Sequence, residues 1–151
     1  MIYFSVCSRK EKQPKSLSKL INYCRKNEAL GIQVCYNSNS IYQGHKENIS
    51  FFKPSPLEYG DIIVLCHDDI DIITPAEELI EYLRIARKPG VGFVGLAGGC
   101  HLPPDGAWWN SRASGDARGF VFQGENRETM KPNYFGESGQ VLVMDGCFMN
   151  T

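Results

Sequence analysis

Residues 61–73 read DIIVLCHDDIDII. An unbroken apolar run, Ile62 to Cys66, is followed at once by His67, Asp68, Asp69 and Asp71. A short continuous apolar run suits a strand buried on both faces, as in a parallel sheet, rather than the alternating pattern of a half-exposed strand. In open α/β sheets, ligands bind beyond the carboxyl ends of the strands. An imidazole and several carboxylates at such an end therefore point to chemistry. The other reading is a solvated acidic turn in which Asp71 or Thr74 caps the next helix.

Thr74 is expected to N-cap that helix, with Pro75 at its first position and Glu77 completing a capping box. Leu79, Ile80, Leu83 and Ala86 or Arg87 carry the helical period, and Arg84, Arg87 and Lys88 favour the negative end of its dipole. Pro89-Gly90 stops it. Upstream, Ile2–Cys7 reads as strand one. Pro14 opens a helix with an apolar stripe at Leu17, Leu20, Ile21 and Cys24, and Gly31 follows its end. Ile32–Tyr36 reads as strand two. Residues 37–59 are polar and broken by Gly44, Pro54 and Pro56, an irregular segment with room for one short helix. Downstream, Val91–Leu96 is expected as strand four, ending in Ala97-Gly98-Gly99. Residues 100–120 read as loop, with further strands at Gly119–Gln123 and Gln140–Met149. The alternation over the first hundred or so residues predicts one α/β domain, residues 1–151, a sandwich around a mostly parallel sheet. The chain ends DGCFMNT, in or just after an apolar run, as expected of a domain that lacks its C-terminal part.

The bulk numbers agree with one globular domain: 151 residues, 42% hydrophobic. A net charge of -1 with only a modest basic cluster at Arg9, Lys10, Lys12 and Lys15 argues against a nucleic-acid partner. No stretch is long enough to span a bilayer, and the N-terminus does not read as a signal peptide. The six cysteines, at 7, 24, 35, 66, 100 and 147, form no CxxC pair and mostly sit in apolar runs. They are expected to be reduced and buried in a cytoplasmic protein, peripheral membrane association remaining open. The Asn48-Ile49-Ser50 sequon would then go unused.

Carboxylates suit Mg2+ or Mn2+, which take oxygen ligands and leave positions open for substrate phosphates. Such an ion against a diphosphate would stabilise a leaving nucleoside diphosphate. A mononuclear zinc site lacks a second His or Cys at ligand spacing. Gly90-Val91-Gly92-Phe93-Val94-Gly95 matches GxGxxG literally, but a helix precedes it and a strand follows, the reverse of a dinucleotide site. Trp108-Trp109 either stack on a sugar ring or base, or close the core. His101 is more often structural than catalytic as a lone histidine. Asp145-Gly146, after QVLVM, is a site residue or a plain turn.

Taken in order, IYFSVCS, NSNSIYQGHKENIS, GDIIVLCHDDIDI, VGFVGLAGG, GAWWNS and VLVMDGCFMNT resemble the glycosyltransferase family 2 group, in the glycosyltransferase-like branch with an HDD-type acidic motif. The resemblance covers residues 1–151 and implies a GT-A fold and a nucleoside-diphosphate sugar donor. It implies that Asp69 is the metal-contacting acid of a DxD-like motif, with Asp68 beside ribose or phosphate and Asp71 able to substitute. His67 stands where many relatives carry the first Asp. Ser5, Val6, Cys7 and Ser8, with Asn37 and Ser38, would approach the nucleotide, and Lys46 would reach a phosphate. Asp145 and Gly146 match the family's DG element near sugar and acceptor, a role extended to Trp108 and Trp109. Transfer with inversion is implied, to a saccharide, lipid-linked or protein acceptor, and the catalytic base is expected beyond residue 151. Two other functions compete: a non-catalytic nucleotide-sugar-binding module of the same fold, and a metal-dependent phosphoesterase or nucleotidyltransferase. An aspartyl-phosphate phosphatase would carry its nucleophile on the first strand, and IYFSVCSR holds no acid.

Overall fold

The computed structural model describes residues 1–52, 60–110 and 115–151. They divide into two units, residues 1–94 with 146–151, and residues 95–145. The first contains β1 (Ile2–Ser8), α1 (Lys15–Arg25), β2 (Leu30–Tyr36), α2 (Ile41–Phe51), β3 (Ile62–Cys66) and α3 (Ala76–Leu83). After β4 (Val94–Gly95), the second unit holds β5 (Ala97–Gly99), β6 (Ala117–Gln123), β7 (Lys131–Gly136) and β8 (Val143–Met144). β9 (Phe148–Asn150) returns to the first unit.

The first unit is built on a five-stranded sheet ordered β2-β1-β3-β9-β4. β1 pairs in parallel with both β2 and β3, from Ile2 opposite Leu30 and Ile62 to Val6 opposite Val34 and Cys66. β9 runs antiparallel to β3, so the sheet is mixed, with the parallel trio β2-β1-β3 forming one side of it. From β1 the chain crosses to β2 on one side, then returns past β1 to β3 on the other. Right-handed crossovers in opposite directions put their helices on opposite faces. The packing agrees. Leu17, Leu20 and Cys24 of α1 cluster with Phe4, Val6 and Val64, whereas Asn48 of α2 bonds Ser5 of β1. Alternation along β1 accounts for both, since even positions face α1 and odd positions face α2. Burying each of Phe4, Leu17, Leu20 and Val64, all at 0–1% exposure, contributes roughly 1.5–3 kcal/mol.

Residues 37–59 do hold the one helix for which they had room, 11 residues over Ile41–Phe51; Pro54, Pro56 and Tyr59 lie outside the described residues. Several expectations need correction. Gly31 lies within β2 rather than after a helix end, α1 having closed at Arg25. The Thr74–Glu77 capping box does not form. Pro75 is itself the N-cap, without a side-chain cap bond, and Thr74 gives its carbonyl to the Tyr23 hydroxyl at 2.9 Å. α3 ends at Leu83 and a 3-10 turn, Arg84–Arg87, carries the chain to Pro89. Strand four shrinks to Val94–Gly95, and the element that follows the GxGxxG match is a strand, β5.

In the second unit the sheet order is β7-β6-β5-β8, with β5–β6, β6–β7 and β5–β8 antiparallel. Ala97-Gly98-Gly99 is therefore a central strand rather than a strand's tail. The single strand expected over Gln140–Met149 splits into β8 and β9, which join different sheets. β7 had no counterpart in the sequence reading. A small core of Ala97, Trp108 and Ala117 holds this unit, with Phe135 and Val143 against it. Among the described residues, no helix is long and apolar enough to cross a membrane.

Candidate functional site

The strand order β2-β1-β3 reverses direction at β1/β3, and doubly wound sheets open a crevice outside the carboxyl ends of the strands at such a switch point. Here those ends are Ser8 and Cys66, and the next residues after Cys66 are His67, Asp68 and Asp69. The Ser8 hydroxyl donates to Asp68 Oδ2 at 2.6 Å, and Ser16 of α1 donates to the Asp68 backbone carbonyl at 3.0 Å. The parallel register explains the first contact: Val6 pairs with Cys66, and continuing it sets Ser8 beside Asp68. The His67 N–H donates to the Cys147 carbonyl at 3.0 Å, so the residue just before β9 pins the start of the turn.

The two neighbouring acids are held differently. Asp68 is half-buried and fixed. The Asp69 side chain is 69% exposed, with His67 Nδ1 3.9 Å from its Oδ1. Asp71 turns to α1, where Lys19 Nζ lies 2.7 Å from its Oδ2. Among the described residues, no three His, Cys, Asp or Glu side chains gather as a metal cage. A Mg2+ or Mn2+ ion that shares its shell with phosphates needs only one or two carboxylates. Asp69, open to solvent, and Asp68, oriented by Ser8, fit such an ion completed by phosphate oxygens and water. Asp71, engaged by Lys19, is the weaker donor.

The other nucleotide-edge residues separate clearly. Asn37 follows β2 in the left-handed region at φ 57, which its side chain tolerates. It ties strand ends together, donating its N–H to the Ser8 carbonyl at 2.9 Å and accepting the Lys10 N–H at 3.2 Å. Ser38 spends its hydroxyl on the Ser40 carbonyl at 2.8 Å. Cys7 faces α2, its thiol 3.6 Å from the Ile41 carbonyl; burial first, then Cys35, pushes that thiol up to about 11. Ser5 and Val6 are 0% exposed, so their side chains belong to the interior and not to a ligand face. Lys46 is exposed on α2 about 200° around the helix from buried Gly44 and Asn48, and so points to solvent rather than to β1. Ser16, Lys19 and His45 were not singled out from sequence. Ser16 and Lys19 read as the polar face of α1, and His45 lies in a polar segment whose one short helix has no residue that stands out. A groove of about 330 Å³ lined by Met1, Ile2, Ile62 and Arg84 lies at the opposite ends of β1 and β3 and holds none of these groups.

In the second unit, Trp108 is 5% exposed, packed edge-on to Phe135 at 5.0 Å, and is core rather than a sugar platform. Its indole N–H donates to Asp145 Oδ2 at 3.1 Å, which gives Asp145 a structural partner. Trp109 is 53% exposed. His101 is exposed, its Nδ1 3.8 Å from Asp116. Gly146 is exposed, with no atom within 4 Å of where a Cβ would stand.

All six cysteines are free. Asn48 is 1% exposed with its amide bonded to Ser5 and Val6, so the sequon is closed in the folded protein.

No curated protein matches the chain, and no solved structure matches it. The sequence profile described as the glycosyltransferase like family matches residues 53–151, about two-thirds of the chain and including the acidic motif. With that extent of match, the chain belongs to the glycosyltransferase-like family.

Proposed function

We propose that the chain transfers a sugar from a nucleoside-diphosphate sugar with inversion, binding the diphosphate with Mn2+ or Mg2+ at the carboxyl ends of β1 and β3. Family membership supplies the coarse activity, sugar transfer from a nucleotide-sugar donor. The observation that carries the finer reading is the Ser8–Asp68 bond at the switch point, which fixes one carboxylate and leaves Asp69 free to solvent beside it. The parallel trio ending in this motif supports the nucleotide-binding half of a GT-A fold.

When bound, the ion supplies positive charge to the phosphate that becomes the leaving group. The chain's own groups do the positioning. Ser8 and Ser16 hold Asp68, and the Cys147 carbonyl holds the backbone at His67. Asn37 locks the ends of β1 and β2 side by side. In the second unit we assign Trp109 to saccharide stacking, since its ring is exposed, and Asp145 to a saccharide hydroxyl, with Trp108 as its anchor.

Asp69→Ala and Lys19→Ala test the assignment together, by calorimetric titration with nucleoside diphosphates in Mn2+. Alanine at Asp69 is expected to abolish the metal-dependent part of binding, while alanine at Lys19 leaves most of it. Metal-dependent binding that survives Asp69→Ala contradicts the assignment.

A further inference from the structure

His45 sits on the α2 side of the sheet, where β1 presents Ser5. Ser5 is fully buried, and its oxygen has two polar neighbours, Asn48 Nδ2 at 3.0 Å and His45 Nδ1 at 2.7 Å. The Asn48 amide cannot be turned around, because the same nitrogen also donates to the Val6 carbonyl at 2.9 Å. Asn48 therefore gives a proton to Ser5 and takes none. A hydroxyl has one proton to donate, and His45 Nδ1 is the acceptor within reach. His45 must then carry its own ring proton on Nε2. A protonated imidazole would turn Nδ1 into a donor and leave the buried Ser5 proton without an acceptor, which is costly. Burial first, and His67 nearby second, also hold the His45 imidazole below the ordinary histidine value, in the neutral form this pattern requires.

The ring is half-buried, not enclosed. Odd positions of β1 and β3 face α2, so His67, following Leu65, leaves its strand on the His45 side. We propose that His45, fixed by Ser5 and Asn48 as the neutral Nε2–H tautomer, donates that N–H to a diphosphate oxygen of the bound nucleotide. This inference rests on the sugar-transfer reading above. It also explains why a Ser–His–Asn network occupies a helix–sheet contact where apolar side chains would pack as well. The tautomer is set in advance, so the donor is presented without a proton having to move.

The test uses the whole chain, with UDP, GDP and CDP in turn and Mg2+ as the diamagnetic ion. Nitrogen-15 NMR of wild-type protein should show His45 Nδ1 as the unprotonated nitrogen and Nε2 as the protonated one, with the Nε2 signal shifting when the nucleotide binds. His45→Phe, which keeps a ring and removes the N–H, should weaken binding about tenfold, as loss of a hydrogen bond to a charged oxygen does. Ser5→Ala should leave a mixture of His45 tautomers and a smaller loss. A proton on Nδ1 in the free wild-type protein overturns the inference, and so does a folded His45→Phe variant with unchanged affinity. If binding depends on Asp69 but neither His45 signals nor His45→Phe respond, this inference fails and the sugar-transfer reading stands. If wild-type protein binds no nucleotide with or without metal, both fall.

Discussion

Ser8 ties the acidic turn to the first strand through one 2.6 Å hydrogen bond, and much of the site's order follows from it. Ser8→Ala is expected to weaken metal-dependent nucleoside-diphosphate binding about tenfold, the usual cost of removing a group that orients a metal-binding carboxylate. Calorimetry checks this, and unchanged affinity would mean that Asp68 needs no orientation. Asp145 makes a different kind of prediction. Asp145→Ala strands the N–H of a tryptophan that is 5% exposed, so it should cost about 1–3 kcal/mol in urea unfolding, while Asp145→Asn keeps an acceptor and most of the stability. The acids of the motif were legible in sequence because charge at the end of an apolar run is conspicuous. Their partners were not. Ser8 meets Asp68 across 60 positions and Trp108 meets Asp145 across 37, and only the paired strands bring them together. Burial is equally hidden in the sequence: Ser5 and Val6 are 0% exposed, and of the two readings open for Trp108 the structure takes core closure.

Among the elements, α2 shows what periodicity misses. Its buried face is Gly44 and Asn48, so it has no apolar stripe to find. The available signal was at its start: Ser40 accepts the Gln43 N–H at 3.1 Å, and Ser-x-x-Gln is a capping sequence. Gly44 lets the helix lie close to β1. A Cβ there would stand 2.5 Å from Cys7 Sγ and 2.7 Å from Ser38 Oγ. Alanine improves helix propensity by about 1 kcal/mol, but the overlap should outweigh it, giving a net loss of about 1–2 kcal/mol in urea unfolding. A more stable Gly44→Ala protein would show that α2 is less tightly seated. β6 holds a stricter case. Gly119 has φ 109 and a Cβ there would run into the Leu96 carbonyl, backbone that cannot rotate away. Gly119→Ala should destabilise by roughly 3 kcal/mol, read from the same denaturation curves.

Across the whole chain, the first half was the more legible. β1, α1, β2, β3 and α3 announce themselves by apolar runs and stripes, because each buries a face in the larger core. The second sheet depends on partners instead. β7 reads KPNYFG, with Pro and Gly that argue against a strand, and it forms by pairing with β6. Burial also fixes a pH dependence. Burial pushes Cys24 up to about 12, and burial followed by neighbouring charges pushes Tyr23 up to about 12 and Cys7 up to about 11. The fold favours their neutral forms, so this stability is complete below the ordinary values of 9.0 and 10.0 and is lost as pH rises towards about 11 and 12. The urea midpoint should fall steadily above pH 9.0, and a midpoint constant to pH 11 would contradict that burial. On the proposed function, Asp68 and Asp69 hold a divalent ion against a nucleoside diphosphate. The most direct test is calorimetric titration of the chain with UDP, GDP and CDP, each with and without Mn2+. Saturable binding of one nucleotide only in the presence of the ion is the predicted result. Binding of none under either condition, or equal binding without the ion, would contradict it.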